Sequence, residues 1–460
     1  MPEPGEQPKD QVSEEALEVE EVLEAEPYEP IMDGIVFTEV KKKKGGVEYR
    51  SSDPTRKIIM LSESSEKPKP NRPYKVKIIE DTDPGDPNKG KLIGEIYYES
   101  RDEKAKQFIE EINALKQAAK TKEDYQQLAN LYQHLEGLYE SKEGGKELEA
   151  SFAMQYDKQV EIFYKLKILV RNLDYDVDKE SMSPGSIDAI DGNEYKFPSK
   201  LELAELIEQN KELIEKKKEQ GFTKLLVVPF GMKLDELAKK YGELIIEHFK
   251  NGNLHDSEGK KIENLRKQGE GDGPTSDATK NSEYYPLWKW DKYTNADESG
   301  GLVYYPEKFD KNNHQGKTKA EAIKEQGGWN IILIEDMPDI PRQGKGKTVG
   351  DRKQLEARST PKEYLQTLAT DPVYQHESGM TPEDQLMYAI TYLEENQKIM
   401  DDYQGKGSVS YQIGAYFPSS DDVPHAYWYR GHRQAYLSGS GVDDRHGGCG
   451  VRSAVRIKKS

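Results

Sequence analysis

The last part of the chain differs in composition from everything before it, and this difference constrains the fold most. Between Ile413 and Ile457 there is no Lys, Glu or Met, although Lys and Glu are common upstream. Large side chains follow one another at Tyr427, Trp428 and Tyr429. Because successive side chains of a strand point to opposite faces, this run predicts a strand with one buried face and one presented face.

The residues that replace Lys and Glu in this segment are those of a contact surface. Tyr offers a large contact area with little rotamer entropy to lose, and Ser, Gly and Asp supply adaptable hydrogen bonds, as in an antibody paratope. The segment therefore indicates ligand recognition rather than bond-making chemistry.

Bulk properties exclude several classes of protein. The formal net charge of -18 over 460 residues argues against duplex binding, which needs clustered Lys and Arg, so nucleic acid is not an expected partner. No stretch approaches the ~20 apolar residues of a membrane span, and MPEPGEQPKD lacks a signal pattern. We expect a soluble protein, cytoplasmic or virion-associated.

Cys449 is the only cysteine, which excludes internal disulfides and multi-thiolate metal sites.

The upstream sequence predicts a mixed α+β protein with three segments before its last domain. Residues 1–45 are mostly acidic and end in a basic run, and this composition predicts a disordered arm. Short β-branched runs over 46–100 predict a small β module. Apolar residues at helical spacing over 101–180 predict a helical bundle or an antiparallel coiled coil, which could act as a spacer or a homo-oligomerisation unit.

The last domain is expected over 196–460, with a surface loop insertion near 252–283, where apolar residues are scarce. Capping pairs predict helices that begin after Ser199, Thr360 and Thr381. TKLLVVPF and WNIILIED are apolar runs of strand length.

Motifs with possible chemistry fail on their spacing. GKGKT at Gly344–Thr348 has Pro341 at the position where a phosphate-binding loop needs Gly. The other GKT, at Gly316–Thr318, has Lys311 at the equivalent position. His376 begins a zinc-protease pattern, but Met380 stands where the second His belongs.

Two further candidates are also weak. DTDPGDPNKG lacks the Gly and the bidentate Glu of a calcium-binding EF-hand loop, since Asp86 and Leu92 occupy those positions. Cys449 with nearby His446 could form a nucleophile and base, but the flanking glycines offer no buried framework. We predict no catalytic residue, no metal and no cofactor.

The C-terminal pattern resembles a known family. Trp428, then Arg430, Arg433 and Leu437, then a small polar run and the terminal GVRSAVRI, are similar to the C-type-lectin-fold variable proteins of diversity-generating retroelements. The resemblance covers roughly 285–457 and is specific over about the last forty residues. It implies a C-type-lectin-like domain whose terminal VRSAVRI is a closing strand that pairs with an early strand.

The resemblance also implies a cause for the composition. In that family, template adenines are randomised in codons that end in a pyrimidine, and such codons cannot encode Lys, Glu, Gln, Met or Trp. The run from Ala435 to Cys449 contains none of these five residue types, although a flexible Gly/Ser loop would also lack them.

On this interpretation the segment divides into scaffold and presented positions. The expected scaffold residues are Pro424, Trp428, Arg430, Arg433, Ala435, Leu437, Val451, Val455 and Arg456. The expected ligand-binding residues, within about 425–449, are His425, Tyr427, Tyr429, His432, Tyr436, Ser438, Ser440, Asp443, His446, Gly447 and Cys449. The partner would be a protein or another surface ligand, and its identity does not follow from the sequence.

Other functions remain open at this point. Formylglycine-generating enzymes share the implied fold, but they depend on paired cysteines and this chain has one. Asp421, Asp422, Asp443 and Asp444 are too few to predict a calcium-dependent sugar site. A structural or virion-associated protein with a static lectin-like tip is the main alternative, and an enzyme in the middle region is a weaker one.

Overall fold

The computed structural model describes residues 148–169, 181–270 and 283–458 without interruption. It also describes the backbone of short strands within 31–96 and of residues 174–176, and isolated helical positions between 108 and 134. The chain divides into two compact units, Met1–Glu103 and Lys104–Ser460. The architecture is mixed α+β, as predicted.

The first unit contains a closed barrel of five strands. The strands are β1 (Ile31–Lys41), β2 (Val47–Ser51), β3 (Ile58–Met60), β4 (Pro73–Ile79) and β5 (Leu92–Ile96), in the order β1-β2-β3-β5-β4. The first half of β1 pairs with β4 and the second half with β2, across an irregularity between Met32 and Ile35. Strands β3 and β5 run parallel.

The barrel corrects one boundary of the sequence analysis. Strand β1 begins at Ile31, inside the stretch assigned to a disordered acidic arm. The apolar run Ile35–Phe37 favours a strand, and the net acidity of the preceding residues hides this local signal. Residues 1–30 and the DTDPGDPNKG connection lie outside the described residues.

The second unit carries the helices with described bounds. They are α1 (Ala150–Lys165), α2 (Lys200–Gln209), α3 (Lys211–Glu219), α4 (Leu234–Lys250), α5 (Ala296–Ser299), α6 (Lys319–Gln326), α7 (Pro361–Thr370) and α8 (Pro382–Asn396). The capping boxes predicted at Ser199, Thr360 and Thr381 are confirmed. Each of these side chains accepts a hydrogen bond from the backbone N–H of the residue three positions on, and the backbone N–H of each capping residue donates to the carboxylate of that same residue. None of the described helices has the length and apolar character needed to cross a membrane.

Two larger sheets organise the second unit. The four-stranded sheet has the order β10 (Phe222–Val228), β13 (Asn330–Glu335), β22 (Ser453–Arg456) and β16 (Glu377–Gly379). The five-stranded sheet has the order β11 (Leu287–Lys289), β20 (Gln434–Gly441), β19 (Asp422–Tyr429), β17 (Val409–Tyr411) and β21 (Cys449–Val451). The terminal strand β22 thus lies between β13 and β16, and β13 separates it from β10.

The remaining strands form two-stranded pairs. These are β6 (Asp174–Asp176) with β7 (Ser181–Ser183), β8 (Ser186–Asp188) with β9 (Glu194–Lys196), β12 (Val303–Tyr304) with β18 (Ala415–Tyr416), and β14 (Thr348–Val349) with β15 (Arg352–Lys353).

Helix α1 packs against the C-terminal core, whereas the sequence placed it in a separate helical segment. Strand β10 is at a sheet edge, so part of its backbone lacks a partner strand. Gln159 donates to Leu225 O at 3.0 Å and accepts from Val227 N at 2.7 Å, and Gln155 accepts from Leu225 N at 2.8 Å. Two glutamine side chains therefore continue the hydrogen bonding of the sheet. The expected hairpin that would precede α1 falls mostly outside the described residues.

Helix α8 contacts both larger sheets and is buried on nearly every side. Leu386, Met387, Tyr388, Ile390 and Leu393 are among its buried residues, and the helix contacts α4, β10 and β19. A helix that is buried all round serves as a core element. It holds the two sheets on one continuous hydrophobic core.

Buried ion pairs attach the terminal segment to this core. Arg452 forms two hydrogen bonds with Asp401, at 2.7 and 2.8 Å, and Arg456 pairs with Asp384 at the start of α8. Breaking one partner of such a buried pair leaves an uncompensated charge. The terminal strand is therefore held by charge as well as by the sheet.

The predicted surface insertion near 252–283 is partly built into the core. Residues 253–270 have little regular structure, but Leu254 and Leu265 are buried. The low apolar content of the stretch concealed these two contacts. Residues 271–282 lie outside the described part.

Candidate ligand-binding surface

The hairpin of β19 and β20 separates two kinds of side chain, as its alternation predicted. The strands are antiparallel with Tyr427 opposite Tyr436 and Trp428 opposite Ala435. Trp428 and Ala435 belong to the main core, and Trp428 is only 3% exposed. Tyr427 and Tyr436 lie on the other face and are half-buried. Because the period of a strand is two residues, a one-residue shift in register would exchange the two sets.

Six aromatic side chains on that face form one cluster, which we call the aromatic patch. Its members are Trp288, Tyr403, Tyr427, Tyr429, His432 and Tyr436. The rings of Tyr427 and Tyr436 are stacked with centroids 5.0 Å apart, and Tyr429 meets the edge of Tyr436 at 5.8 Å. His432 is exposed and the other five are half-buried.

Two members of the patch were not predicted. Trp288 on β11 lies beside Tyr436 in a parallel pairing, with ring centroids 5.0 Å apart. The alternation of Leu287, Trp288 and Lys289 is a signal that could have identified it. Tyr403 lies in a loop 5.6 Å from Tyr427 between ring centroids, and no local sequence pattern marks that position.

The predicted ligand-binding residues differ in exposure. Exposed residues are His432, Asp443, His446 and Gly447, and half-buried residues are Tyr427, Tyr429, Tyr436, Ser438 and Ser440. His425 and Cys449 are buried, with 8% and 7% exposure, so the expectation of presented side chains is wrong for these two.

Packing on one half of the sheet explains both exceptions. Cys449 on β21 belongs to a second hydrophobic cluster that includes Leu368 of α7, and α7 contacts β21. His425 pairs in register with Tyr411 of β17, and its Nδ1 lies 2.8 Å from Ser440 Oγ. Burial lowers the pKa of His425 to about 3 and raises the pKa of the Cys449 thiol. The thiol is therefore protonated and enclosed, which does not suit a nucleophile.

The expected scaffold positions are buried or held by partners. Pro424, Trp428, Ala435, Leu437, Val451 and Val455 are buried, and Arg430, Arg433 and Arg456 are half-buried. Arg430 makes hydrogen bonds to Asp402 at 2.8 and 2.6 Å and to Glu258 at 2.9 Å.

The turn between β19 and β20 is fixed by these arginines. Arg433 adopts a positive φ of 55° and donates to Glu270 at 2.7 Å. Arg430 reaches Asp402 past Gly405, where a Cβ atom would lie 2.4 Å from Arg430 Nη2. A binding surface on a rigid turn loses less conformational entropy when it associates.

The 443–447 loop borders the patch. The His446 ring lies 6.5 Å from the Tyr403 ring. Asp444 accepts a hydrogen bond from Gly441 N at 2.8 Å, and Arg445 pairs with Glu363 of α7. The loop is thus attached to the hairpin at one side and to α7 at the other.

The centre of the patch is uncharged at neutral pH. Burial, with Arg266 and Arg433 nearby, lowers the pKa of His432. Burial raises the pKa of Tyr436 and of Tyr427. The patch can therefore stack, exclude water and hydrogen-bond through hydroxyl groups.

Two motifs that fail on their spacing, GKGKT and the one that begins at His376, contain groups that form hydrogen bonds or ion pairs within the chain. The Glu356 carboxylate accepts from Gly344 N and Gly346 N, each at 2.8 Å, so the amides of the GKGKT loop bind an internal carboxylate. Glu377 is buried between Lys217 and Arg352. Across the described residues, no group of three or more His, Cys, Asp or Glu side chains could hold a metal ion.

Comparisons with protein-family models, with curated proteins and with solved structures gave no match.

Proposed function

We propose that this chain is a non-enzymatic ligand-binding protein whose aromatic patch, with the adjoining 438–447 residues, is a diversified recognition surface on a C-type-lectin-like scaffold. The observation that carries the proposal is the separation of side chains along one hairpin. Tyr427, Tyr429 and Tyr436 lie on the accessible face, whereas Trp428 and Leu437 lie in the core.

This separation lets the surface change without loss of the fold. Substitutions at Tyr429 and Tyr436 alter few core contacts, since the interior is filled by the alternate residues, whereas Tyr427 also packs against the second hydrophobic cluster. The resemblance to variable proteins of diversity-generating retroelements supports the same division, and the ligand is then a protein or another surface ligand.

The chemistry of the patch supports binding over catalysis. Large, half-buried aromatic residues next to polar residues are typical of interaction surfaces. The lone thiol is enclosed, and His425 is neutral and bonded to Ser440. Neither is placed to act on a bound ligand.

The test is the DNA next to the gene and the sequences of sibling isolates. We expect a near-copy of the coding segment with adenines at the codons for Tyr427, Tyr429, His432, Tyr436 and His446, beside a reverse transcriptase gene. Isolates should vary at these codons and keep those for Trp428, Ala435 and Leu437. Variation spread evenly over both sets, or no copy and no variation, would contradict the proposal.

A protein-level test uses a display library of the full chain. Codons 427, 429, 432 and 436 are randomised in one library, and codons 426, 428, 435 and 437 in a matched control. We expect most clones of the first library to fold and some to bind an arbitrary target protein, while most clones of the control fail to fold. Equal folding in the two libraries would contradict the division into surface and scaffold.

A further inference from the structure

A cavity of about 480 Å³ opens in the second unit, lined by none of the aromatic-patch residues. It lies between β9 and α2 on one side and the end of α6, β13 and the residues after β22 on the other. Its volume is in the range of about 300–1,000 Å³ that is usual for small-molecule sites. The patch would bind macromolecular surfaces, so this cavity calls for a separate explanation.

One part of the lining is apolar and well fixed. Trp329 meets Phe197 edge to face at 4.9 Å, and its Nε1 donates to Tyr195 O at 3.1 Å. Tyr195 in turn donates to Asp191 at 2.9 Å. Gly328 allows Tyr195 to approach, because a Cβ atom there would lie 2.5 Å from Tyr195 Cγ. Leu206 adds to this side. The aromatic side of the cavity is therefore built by packing contacts.

Another part of the lining is cationic. The Arg456 side chain is 9% exposed, packs over the Tyr305 ring at 4.7 Å and pairs with Asp384. Its buried Nε has no hydrogen-bond partner among the described residues. Lys458 also lines the cavity and forms no ion pair with any residue that the structure describes. Burial, followed by Arg456 and Lys317, lowers the pKa of Lys458, which indicates a locally positive field.

The carboxylates in the lining offset this field only in part, because Glu325 raises the pKa of Lys458 less than burial, Arg456 and Lys317 lower it. Glu325 pairs with Lys317, and Glu202 accepts from Ser199 N at 3.1 Å as part of the α2 cap. A cavity with an aromatic side and a cation at its edge that has no ion-pair partner among the described residues is complementary to a molecule that has an apolar body and one negative group.

We infer that this cavity binds a small amphiphilic organic anion, with its aromatic or aliphatic body against Trp329, Tyr195 and Leu206 and its carboxylate, sulfonate or phosphate beside Lys458 and Arg456. The lining of this cavity contains none of the proposed ligand-binding residues. The site is independent of the proposed function of the aromatic patch.

The test compares two fluorescent probes with nearly the same body and different charge. The full chain is titrated with 1-anilinonaphthalene-8-sulfonate and with the uncharged N-phenyl-1-naphthylamine. We expect one site for each probe and about tenfold tighter binding of the sulfonate, because a charge-assisted contact is added. Equal affinity of the two probes would overturn the inference.

Variants locate the site. Lys458→Gln should weaken the sulfonate about tenfold and leave the neutral probe unchanged, whereas Leu206→Trp should fill the cavity and weaken both. Lys311→Gln, on an exposed loop, and Tyr429→Ser, in the patch, are controls that should leave both affinities unchanged. If Leu206→Trp fails to fold, as judged by circular dichroism, the Lys458→Gln comparison still decides. Unchanged sulfonate binding in Lys458→Gln, or its loss in Tyr429→Ser, would overturn the inference.

Discussion

Tyr427 and Tyr436 stand directly opposite each other on neighbouring strands, and their rings stack with an interplanar angle of 18°. The next residues in register, Trp428 and Ala435, point into the core. The same backbone pairing therefore positions a contact surface on one face and a packed interior on the other. Because the residues of the two faces differ in burial, we expect their substitution to lower the free energy of unfolding by different amounts.

Substitutions on the two faces should differ in their effect on stability. Tyr429→Ser removes a half-buried ring, and we expect a loss of about 1 kcal/mol in the free energy of unfolding. Trp428→Ala leaves a cavity in the core and should cost about 3–5 kcal/mol. Urea unfolding followed by circular dichroism measures both. Similar losses for the two variants would show that the hairpin does not separate surface from core.

The buried pair of Arg452 and Asp401 should show strong coupling. Arg452→Met leaves the Asp401 carboxylate buried without its cation, which should cost about 3–5 kcal/mol. Asp401→Asn in the same chain removes that charge, and the double variant should recover much of the loss. A double-mutant cycle from urea unfolding gives the coupling energy. A loss in the double variant equal to the sum of the losses in the two single variants would indicate that the two groups do not depend on each other.

Local signals predicted local features, and contacts between distant segments were missed. The caps at Ser199, Thr360 and Thr381 depend on residues three apart, so their patterns could be recognised directly. The two faces around Trp428 follow from the period of a strand. Those expectations needed no knowledge of the tertiary structure.

Other features depend on where separate segments meet. Tyr403 joins the patch because its loop is held against β19 by a hydrogen bond from Tyr403 N to Trp428 O at 2.9 Å. Gln159 bonds to β10 across 66 residues of sequence. His425 is buried because β17 and Ser440 enclose it. Alternation placed His425 on the correct face of the strand, but it could not show that this half of the face is covered.

His425 should make stability depend on pH. Burial lowers its folded-state pKa to about 3, whereas the unfolded chain has the usual value of about 6.5. As pH falls below about 6.5, the unfolded state takes up a proton that the folded state does not, so the folded state loses stability until about pH 3. Between pH 7 and pH 5 this single group should cost about 2 kcal/mol.

The comparison with His425→Gln isolates this effect, because other groups titrate equally in both proteins. The difference in unfolding free energy between pH 7 and pH 5 should be smaller in the variant by about 2 kcal/mol. Urea unfolding at the two pH values measures it. Identical pH dependence in the two proteins would mean that His425 is protonated as readily in the folded state as in the unfolded one.

Glu356 should control the order of the GKGKT loop. Its carboxylate accepts hydrogen bonds from Gly344 N and Gly346 N, and the Gly344 amide is the largest cause of its lowered pKa. In Glu356→Ala these two amides lose their acceptor, so they should exchange with solvent faster by about tenfold, as expected for the loss of roughly 1.4 kcal/mol of local protection. Hydrogen exchange read by mass spectrometry over peptides that contain 342–348 measures the change. Glu363→Ala, at the α7 cap, is the matched control and should leave exchange at Gly344 and Gly346 unchanged.

The Glu356→Ala variant should gain no affinity for ATP in equilibrium dialysis. Its loop amides have lost their acceptor, but the loop still has Pro341 where a phosphate-binding loop needs glycine. Tight ATP binding by either form would show that the loop can cradle phosphate despite Pro341.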